Sequence, residues 1–321
     1  MTTPTLLHFG LKDFWLAFWQ WMRSYRLFEQ IPPGLYYTGA HYPSSSPMLV
    51  TCNYHLTVFL LWWRVLRFLP PQRILVLDTA GVNVWCASGK GTFSADEILR
   101  QLARYPEAVT GSLKGMELIL PKLGFSGVQL ATLQRVGITP RIGPIYMTDI
   151  PAYLAQQPHA DFAGIYRFTL RDRLFTLPPS TIQIATYLAL PTVAAWVLHQ
   201  FFATQIWWQI FAGGIAIAWL YIVLFPILPS KRFAIKGLWL GSAFMLSALL
   251  MFAYGGWSWL DTLFAILFVL GGSLFFGLYY TGNSGVSNYS IVKYETLRYL
   301  PISIGLLIAS MAIIVYKAVQ A

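Results

Sequence analysis

The stretch of residues 174–230 reads LFTLPPSTIQIATYLALPTVAAWVLHQFFATQIWWQIFAGGIAIAWLYIVLFPILPS and contains no aspartate, glutamate, lysine or arginine. A helix needs about 20 predominantly apolar residues to cross the hydrocarbon core of a bilayer, which is about 30 Å thick. The run is long enough for two such helices. The sequence therefore predicts that the C-terminal half of the chain spans a membrane.

Further apolar runs follow this stretch, separated by short segments that carry charges, prolines or glycines. We predict an all-α transmembrane domain over residues 174–321 with about five spans. The predicted spans lie near residues 182–201, 206–228, 236–254, 258–281 and 301–316.

The charged residues are concentrated in the other half of the chain. Residues 1–173 hold 16 of the 22 Lys and Arg and 10 of the 12 Asp and Glu, and no run there is long and apolar enough to span a bilayer. The net charge of +10 does not indicate a nucleic-acid partner, because no cluster of cations is interleaved with aromatic residues. Two cysteines cannot build a disulfide framework or hold an iron–sulfur cluster, so any electrons must come from another protein.

The cations that flank the predicted spans indicate an orientation. They precede the first span and occupy the loops at 229–236 and 282–300, whereas the loops near 202–205 and 255–257 carry none. Cytoplasmic loops carry the excess of Lys and Arg. We therefore predict a multi-pass protein of the cytoplasmic (inner) membrane, with the N-terminal domain and both cation-bearing loops on the cytoplasmic side.

Residues 1–30 contain a predicted amphipathic helix at 11–26, LKDFWLAFWQWMRSYR. On a helical wheel most polar side chains share one arc, and most aromatic side chains lie opposite. Aromatic-rich amphipathic helices often lie in the headgroup zone of a bilayer. The alternative is a helix that caps the soluble domain, and the sequence leaves both interpretations open.

Residues 31–173 alternate predicted strands with predicted helices, which favours a Rossmann-like α/β domain with a parallel sheet and ligand sites at the strand C-terminal ends. The predicted strands are 48–52, 73–78, 107–110 and an extended piece in 139–145. The predicted helices are 57–69, 95–104, 115–123 and 149–157.

The second strand, RILVLD, leads through TAGV into residues 83–93, NVWCASGKGTF. Asn83 is a good N-cap for a short helix that starts at Val84 and stops at the glycines around Lys90. Cys86 then lies in the first turn, where the helix dipole stabilises a thiolate. Taken alone, the pattern fits either a metal ligand or a structural cysteine. The other cysteine, Cys52, ends an apolar strand and is predicted to be a buried small hydrophobe.

This segment resembles the signature cap helix of the mercury-methylating corrinoid proteins. The resemblance extends to VTCNYHLT at 50–57, to the strand that precedes the cap helix, and to parts of 118–124 and 143–152. A soluble corrinoid domain followed by a helical membrane domain is also the layout of that family. Cys52, His55 and Ser88 depart from the family's usual Ala, Lys and Ala.

The resemblance implies a cobalamin-dependent methyltransferase that works under anaerobic conditions. A cobalamin-type corrinoid would bind with Cys86 as the lower axial thiolate to cobalt, and a methyl group would pass from cobalt to inorganic Hg(II), forming methylmercury. A thiolate donates more electron density than an imidazole, which favours loss of the methyl group as a carbanion or radical. The cofactor-binding residues that it implies are Thr51, Asn53, Thr79, Asn83, Val84, Trp85, Ala87, Ser88, Gly89, Lys90, Gly91 and Thr92.

The implied partners are a ferredoxin-like 4Fe–4S protein as electron donor, a folate- or corrinoid-linked methyltransferase as methyl donor, Hg(II) as substrate and the lipid bilayer. No nucleic acid is implied. Two alternative functions remain open. One is a membrane-bound corrinoid methyl carrier of one-carbon metabolism, and the other is a non-catalytic membrane scaffold or transporter.

Overall fold

A computed structural model describes residues 3–23, 29–107, 113–156, 165–202, 207–287 and 289–320 of the chain. It forms two compact units, Met1–Arg167 and Phe168–Ala321. The division falls slightly before residue 173, where the sequence places the end of the α/β domain.

The described residues of the first unit form six strands and six α-helices. The strands are β1 (Thr5–Leu6), β2 (Gly34–Tyr37), β3 (Met48–Cys52), β4 (Arg73–Leu77), β5 (Glu117–Leu120) and β6 (Thr139–Ile142). The helices are α1 (Leu11–Arg23), α2 (His55–Arg64), α3 (Val84–Lys90), α4 (Ala95–Leu102), α5 (Leu130–Arg135) and α6 (Ile150–Leu154), with 3₁₀ turns at Leu66–Phe68, Phe125–Gly127 and Met147–Asp149.

The strands form one mixed sheet in the order β1-β2-β4-β3-β5-β6. β4, β3, β5 and β6 are parallel to one another, but β2 runs antiparallel to β4. The sheet is therefore mixed, and the parallel arrangement that the sequence predicts holds for only part of it. β2 precedes the first β–α–β unit, so no crossover helix fixes its direction.

Two predicted elements differ from the structure, and a third lies mostly outside the described residues. The helix predicted at 115–123 was wrong, because Glu117–Leu120 is the strand β5, and a short apolar run has no periodicity that separates a strand from a buried helix. The helix predicted at 57–69 starts earlier, at His55, and gives way after Arg64 to a 3₁₀ turn. Residues 108–110 of the predicted strand 107–110 lie outside the described residues.

The sheet is buried on both faces. In β3, Val50 faces a core that also contains residues of α3, α4 and α5, whereas Leu49 faces a core shared with α1, α2 and α6. The same alternation holds in β4 for Leu75 and Ile74. Helices on both faces of a mostly parallel sheet make this unit a three-layer α/β sandwich.

The second unit is helical. Its helices are α7 (Leu170–Phe175), α8 (Leu177–Phe202), α9 (Trp207–Leu224), α10 (Phe233–Tyr254), α11 (Trp259–Asn283) and α12 (Tyr289–Gln320). Within the described part of the chain, four stretches are long and apolar enough to cross a membrane, and they are compatible with a multi-pass membrane protein. These are Leu177–Val197, Phe233–Tyr254, Trp259–Asn283 and Tyr289–Gln320, with a shorter apolar helix at Ile210–Leu224.

The sequence predicted about five spans, and four helices are long and apolar enough to cross a membrane. The remaining predicted span, 206–228, corresponds to the shorter helix α9. The predicted loop 282–300 was also wrong in part, because α12 already begins at Tyr289. Its first turns carry Lys293, Glu295 and Arg298, which are compatible with a helix but lower the local hydropathy. Hydropathy therefore marks only the apolar part of this helix.

Helices α10 and α11 pack through small residues. Gly237 and Gly241 on α10 face Ser273 and Gly277 on α11, and all four are buried. A Cβ atom added at Gly237 would overlap the backbone oxygen of Ser273, and one at Gly277 would lie 2.5 Å from the oxygen of Phe233. Small residues four apart let the backbones of apolar helices approach closely.

Buried charges of the second unit satisfy helix ends. The Arg173 guanidinium donates to the carbonyls of Ile222 and Val223, near the end of α9. The Glu295 carboxylate, 1% exposed, accepts the first two N–H groups of α10 at 3.0 and 2.7 Å. Carboxylates favour helix N-termini and cations favour C-termini, so these charges stabilise both ends.

Candidate functional site

The carboxyl ends of the parallel strands β4, β3, β5 and β6 all lie at one edge of the sheet. The order in which the chain adds strands to the sheet reverses at β3. From β3 the chain continues to β4 on one side, whereas β5 lies on the other side of β3 and leads on to β6. The opposite connections leave a crevice at the carboxyl ends of β3 and β5. Ligands of open α/β sheets bind at such a switch point.

Helix α3 starts beyond β4 and packs on both β3 and the 3₁₀ turn that follows β5, so it lies across this crevice. Two glycines in that turn region make the approach possible. A Cβ atom at Gly127 would lie 2.8 Å from Cα of Ser88, and one at Gly124 would overlap the Val84 side chain. The hydroxyls of Ser88 and Ser126 lie 3.1 Å apart and join the helix to the turn.

The ends of α3 are those that the sequence predicts. The Asn83 side-chain oxygen accepts the Val84 N–H at 2.7 Å and the Thr57 hydroxyl at 3.2 Å. At the other end Gly91 has φ +78°, a left-handed conformation that glycine adopts without strain, and its N–H bonds the Ser88 carbonyl at 3.2 Å. Both boundaries of this short helix are therefore set by its own sequence.

The two faces of α3 differ in burial. Val84 and Ala87 are buried against the domain, Trp85 and Cys86 are half-buried, and Lys90 is exposed. Cys86 therefore lies near the surface in the first turn of the helix. Gly89 and Gly91 flank Lys90, so this face carries few bulky side chains beyond Trp85.

The second cysteine lies beneath the start of the same helix and differs in environment. Cys52 is fully buried at the end of β3. Burial raises the pKa of its thiol, and hydrogen bonds that include the backbone N–H of Val84 offset only part of this effect. The Cys52 thiol is therefore held in its neutral form, as the sequence predicts for a small buried hydrophobe.

A buried polar network holds the loop that leads into α3. The Asn53 side-chain oxygen accepts the Thr79 N–H at 3.1 Å, the Thr79 hydroxyl at 2.8 Å and the Gly81 N–H at 3.0 Å. The Thr79 hydroxyl also lies 2.8 Å from the Val82 carbonyl oxygen. Asn53 and Thr79 are both fully buried, so they fix the loop to the end of β3 from the inside.

The implied cofactor-binding residues thus fall into two groups. One group is buried in the domain interior: Thr51, Asn53, Thr79, Val84 and Ala87. The other group lies with Cys86 at or near the surface around α3: Asn83, Trp85, Ser88, Gly89, Lys90, Gly91 and Thr92.

The residues that contact α3 from the segment after β5 were not predicted from the sequence. They are Gly124, Ser126 and Gly127. Their signal is the segment GFSG at 124–127, which follows the apolar strand β5 within a few residues. Two closely spaced glycines after a buried strand are typical of a place where another backbone approaches.

A concave region of about 370 Å³ adjoins the C-terminal end of α3. Asp78, Asp96 and Glu97 contribute carboxylates to its lining. Glu97 already accepts the Asp78 N–H at 2.9 Å and the Gln101 amide at 2.8 Å, and it pairs with Arg100. The Glu97 carboxylate therefore stabilises the end of β4 and the helix α4.

The described residues contain no group of three or more His, Cys, Asp or Glu side chains placed to hold a metal ion. His55 is engaged elsewhere, since its Nε2 lies 3.2 Å from Oδ1 of Asp13 on α1. A metal at this edge would therefore need most of its ligands from a group other than these side chains.

Comparison with models of known protein families finds no match to this chain. No curated protein is significantly similar to it either.

Proposed function

We propose that the first unit binds a cobalamin-type corrinoid and that the protein is a methyltransferase whose acceptor is inorganic Hg(II). The cofactor, when bound, supplies the methyl transfer, and the protein tunes it through a thiolate from Cys86. The proposal rests on the resemblance of residues 83–93 to the cap helix of mercury-methylating corrinoid proteins and on the place of Cys86 in the fold.

The position of Cys86 is the observation that carries the proposal. It is a half-buried thiol in the first turn of a capped helix that lies across the switch crevice. The N-terminal N–H groups and dipole of a helix favour the anionic form of such a side chain. A corrin ring would supply most of the ligands of its own metal, so a single thiolate from Cys86 would suffice although the described residues offer no three-ligand site.

The neighbours of Cys86 have two roles in this proposal. Trp85, Gly89, Lys90 and Gly91 would form the surface that holds the ring, and the two glycines would leave room for a flat group. The buried residues act indirectly. Asn53 and Thr79 hold the loop before the helix, and Val84 anchors its first turn against the core.

The chain needs two partners in this role. Two cysteines cannot hold an iron–sulfur cluster, so electrons must come from another protein, and the family resemblance identifies this donor as a ferredoxin-like 4Fe–4S protein. The methyl donor is a folate- or corrinoid-linked methyltransferase.

Anaerobic reconstitution of the full chain tests the proposal. We expect the purified protein to bind cobalamin with an absorbance change and, with the iron–sulfur partner and a methyl donor, to convert Hg(II) to methylmercury. Parallel assays with thiol and folate acceptors separate mercury methylation from a role as a methyl carrier. If the absorbance spectrum of cobalamin stayed unchanged when the protein was added, the result would contradict the proposal and favour a scaffold or transporter.

We also propose that the charged end of the second unit is cytoplasmic. Arg173, Lys236 and Glu295 cluster there, whereas Asp261 pairs with Lys317 near the other ends of α11 and α12. The cations of cytoplasmic loops set the orientation of membrane helices.

Impermeant thiol labelling of whole cells tests this orientation. In a Cys86→Ala background, we expect Lys231→Cys and Lys293→Cys to react only after permeabilisation, because they lie at the charged end. Gln320→Cys, near the end of α12, is the matched variant and should react from outside. The reverse pattern would overturn the orientation.

A further inference from the structure

The amphipathic helix α1 has three of its five aromatic side chains on the outside of the first unit. The side chains that it buries are Ala17 and Gln20, and the Gln20 amide donates to the Glu29 carbonyl at 2.9 Å. Phe14, Trp15 and Trp19 are 42%, 53% and 47% exposed. A surface helix normally turns its apolar side chains toward the core, so this arrangement needs a partner for the aromatic face.

Helix α2 and the turn after it extend this face. Trp63 is 39% exposed and its ring centroid lies 6.3 Å from that of Phe14, while Phe68 is 70% exposed. We call Phe14, Trp15, Trp19, Trp63 and Phe68 the aromatic patch. Contiguous exposed apolar surface of this kind marks an interaction site.

Cations accompany the rings of the aromatic patch. The Arg67 guanidinium lies 3.7 Å from the Trp63 ring centroid and 4.5 Å from that of Phe68, and Arg23 lies 5.6 Å from Trp19. Lys12 and Arg64 are also exposed on α1 and α2. The only acidic residue of these two helices is Asp13, so the described surface of the pair is positive.

The aromatic patch is preformed, because Asp13 ties α1 to α2. Its Oδ1 lies 3.2 Å from His55 Nε2, and its Oδ2 accepts the Gly10 N–H at 2.8 Å. The His55 ring stacks on Phe59, which also contacts Phe14. Helix α1 is therefore fixed to α2 through Asp13 and Phe14, and it does not have to become ordered when the aromatic patch binds.

We propose that the aromatic patch docks into the headgroup region of an anionic lipid bilayer. Tryptophan is enriched at membrane interfaces, and basic residues near the surface attract anionic headgroups, so the rings and the cations match one occupant. The same chain carries four helices compatible with membrane crossing, which would tether this domain to a bilayer through the chain itself. The inference does not depend on the proposed methyl transfer.

Spin labels on the full chain in nanodiscs test the docking. Leu11→Cys and Phe68→Cys place labels at 75% and 70% exposed positions on α1 and beyond α2, in a Cys86→Ala background. The control is Val136→Cys, 41% exposed after α5, a helix that packs on the other face of the sheet. In phosphatidylglycerol discs we expect oxygen to relax the labels at 11 and 68 more strongly than a water-soluble nickel complex does. At 136 we expect the nickel complex to relax the label more strongly than oxygen does.

Two results would overturn the docking. Labels at 11 and 68 could be as accessible to nickel as the label at 136, which would leave the patch in water. They could also be shielded from both reagents, which would indicate a protein partner.

The charge contribution has its own test. Arg64→Gln with Arg67→Gln should lower the ratio of docked to undocked protein about fivefold per cation in phosphatidylglycerol, with little change in phosphatidylcholine. An equal effect in both lipids would contradict charge recognition.

Discussion

Cys86→Ala is expected to reduce methylation of Hg(II) to the level of the protein-free reaction and to remove the sulfur-to-cobalt signature from the absorbance spectrum of the bound corrinoid. The variant removes a half-buried thiol from the surface of α3 while keeping a good helix former in its first turn. We expect the fold to be retained, so the loss would be chemical. Circular dichroism and cobalamin absorbance on the same sample check this.

Cys52→Ala is the matched control for this prediction. Cys52 is fully buried beneath the start of α3, and burial raises the pKa of its thiol, so it does not supply a thiolate. Its removal leaves a small cavity that we expect to cost about 1 kcal/mol of stability or less. Methyl transfer should stay near the parent rate. Loss of activity in Cys52→Ala with activity retained in Cys86→Ala would reverse the assignment.

Cys86→His separates ligation from electron donation. An imidazole still ligates cobalt, but it donates less electron density than a thiolate, so the corrinoid should remain bound while the methylation rate falls by a large factor. If Cys86→His methylated Hg(II) as fast as the parent, the thiolate would have no special role. In that case the cofactor assignment could stand, but its tuning by sulfur would not.

Local features of the fold were predictable from the sequence because they depend on neighbouring residues. Helix α3 begins after Asn83, whose side chain caps it, and ends at Gly91, whose backbone adopts a left-handed conformation. Both ends lie where predicted. The charge-free run at 174–230 likewise marks apolar helices by composition alone. Such features need no knowledge of the rest of the chain.

Features that depend on distant partners were missed or wrong. β2 is antiparallel because of its place in the sheet, and residues 117–120 are a strand because β3 and β6 flank them. The inward position of Gln20 follows from its bond to the Glu29 carbonyl. None of these partners can be read from the periodicity of the segment itself.

The candidate site shows the same division. The sequence places Cys86 in a first helical turn, but the reason that α3 lies across the crevice is in another segment, where Gly124 and Gly127 lack side chains. The buried bonds between Asn53 and Thr79 also join residues from different strand ends. Residue types alone do not distinguish such supporting contacts from contacts with a cofactor.

The second large effect is expected in the helical unit, at the crossing of α10 and α11. Gly237→Leu should prevent these two helices from packing, because even a Cβ atom at 237 overlaps the backbone oxygen of Ser273. A backbone atom cannot rotate away as a side chain does, so the helices must separate and lose the contacts at Gly241 and Gly277. Thermal unfolding in detergent and the yield of folded protein measure the loss.

Alanine at the same position gives a test by sign. Gly237→Ala should lower the free energy of unfolding by about 1–3 kcal/mol through overpacking. Gly305→Ala, in the interior of α12, should raise it by about 0.5–1 kcal/mol, because no atom beyond the neighbouring backbone of α12 lies within 4 Å of the added Cβ and alanine is the better helix former. Both variants add the same methyl group to an apolar helix, so hydropathy alone predicts the same sign for both. A stabilising effect at 237 would show that the close approach of α10 and α11 does not contribute to the stability of the unit.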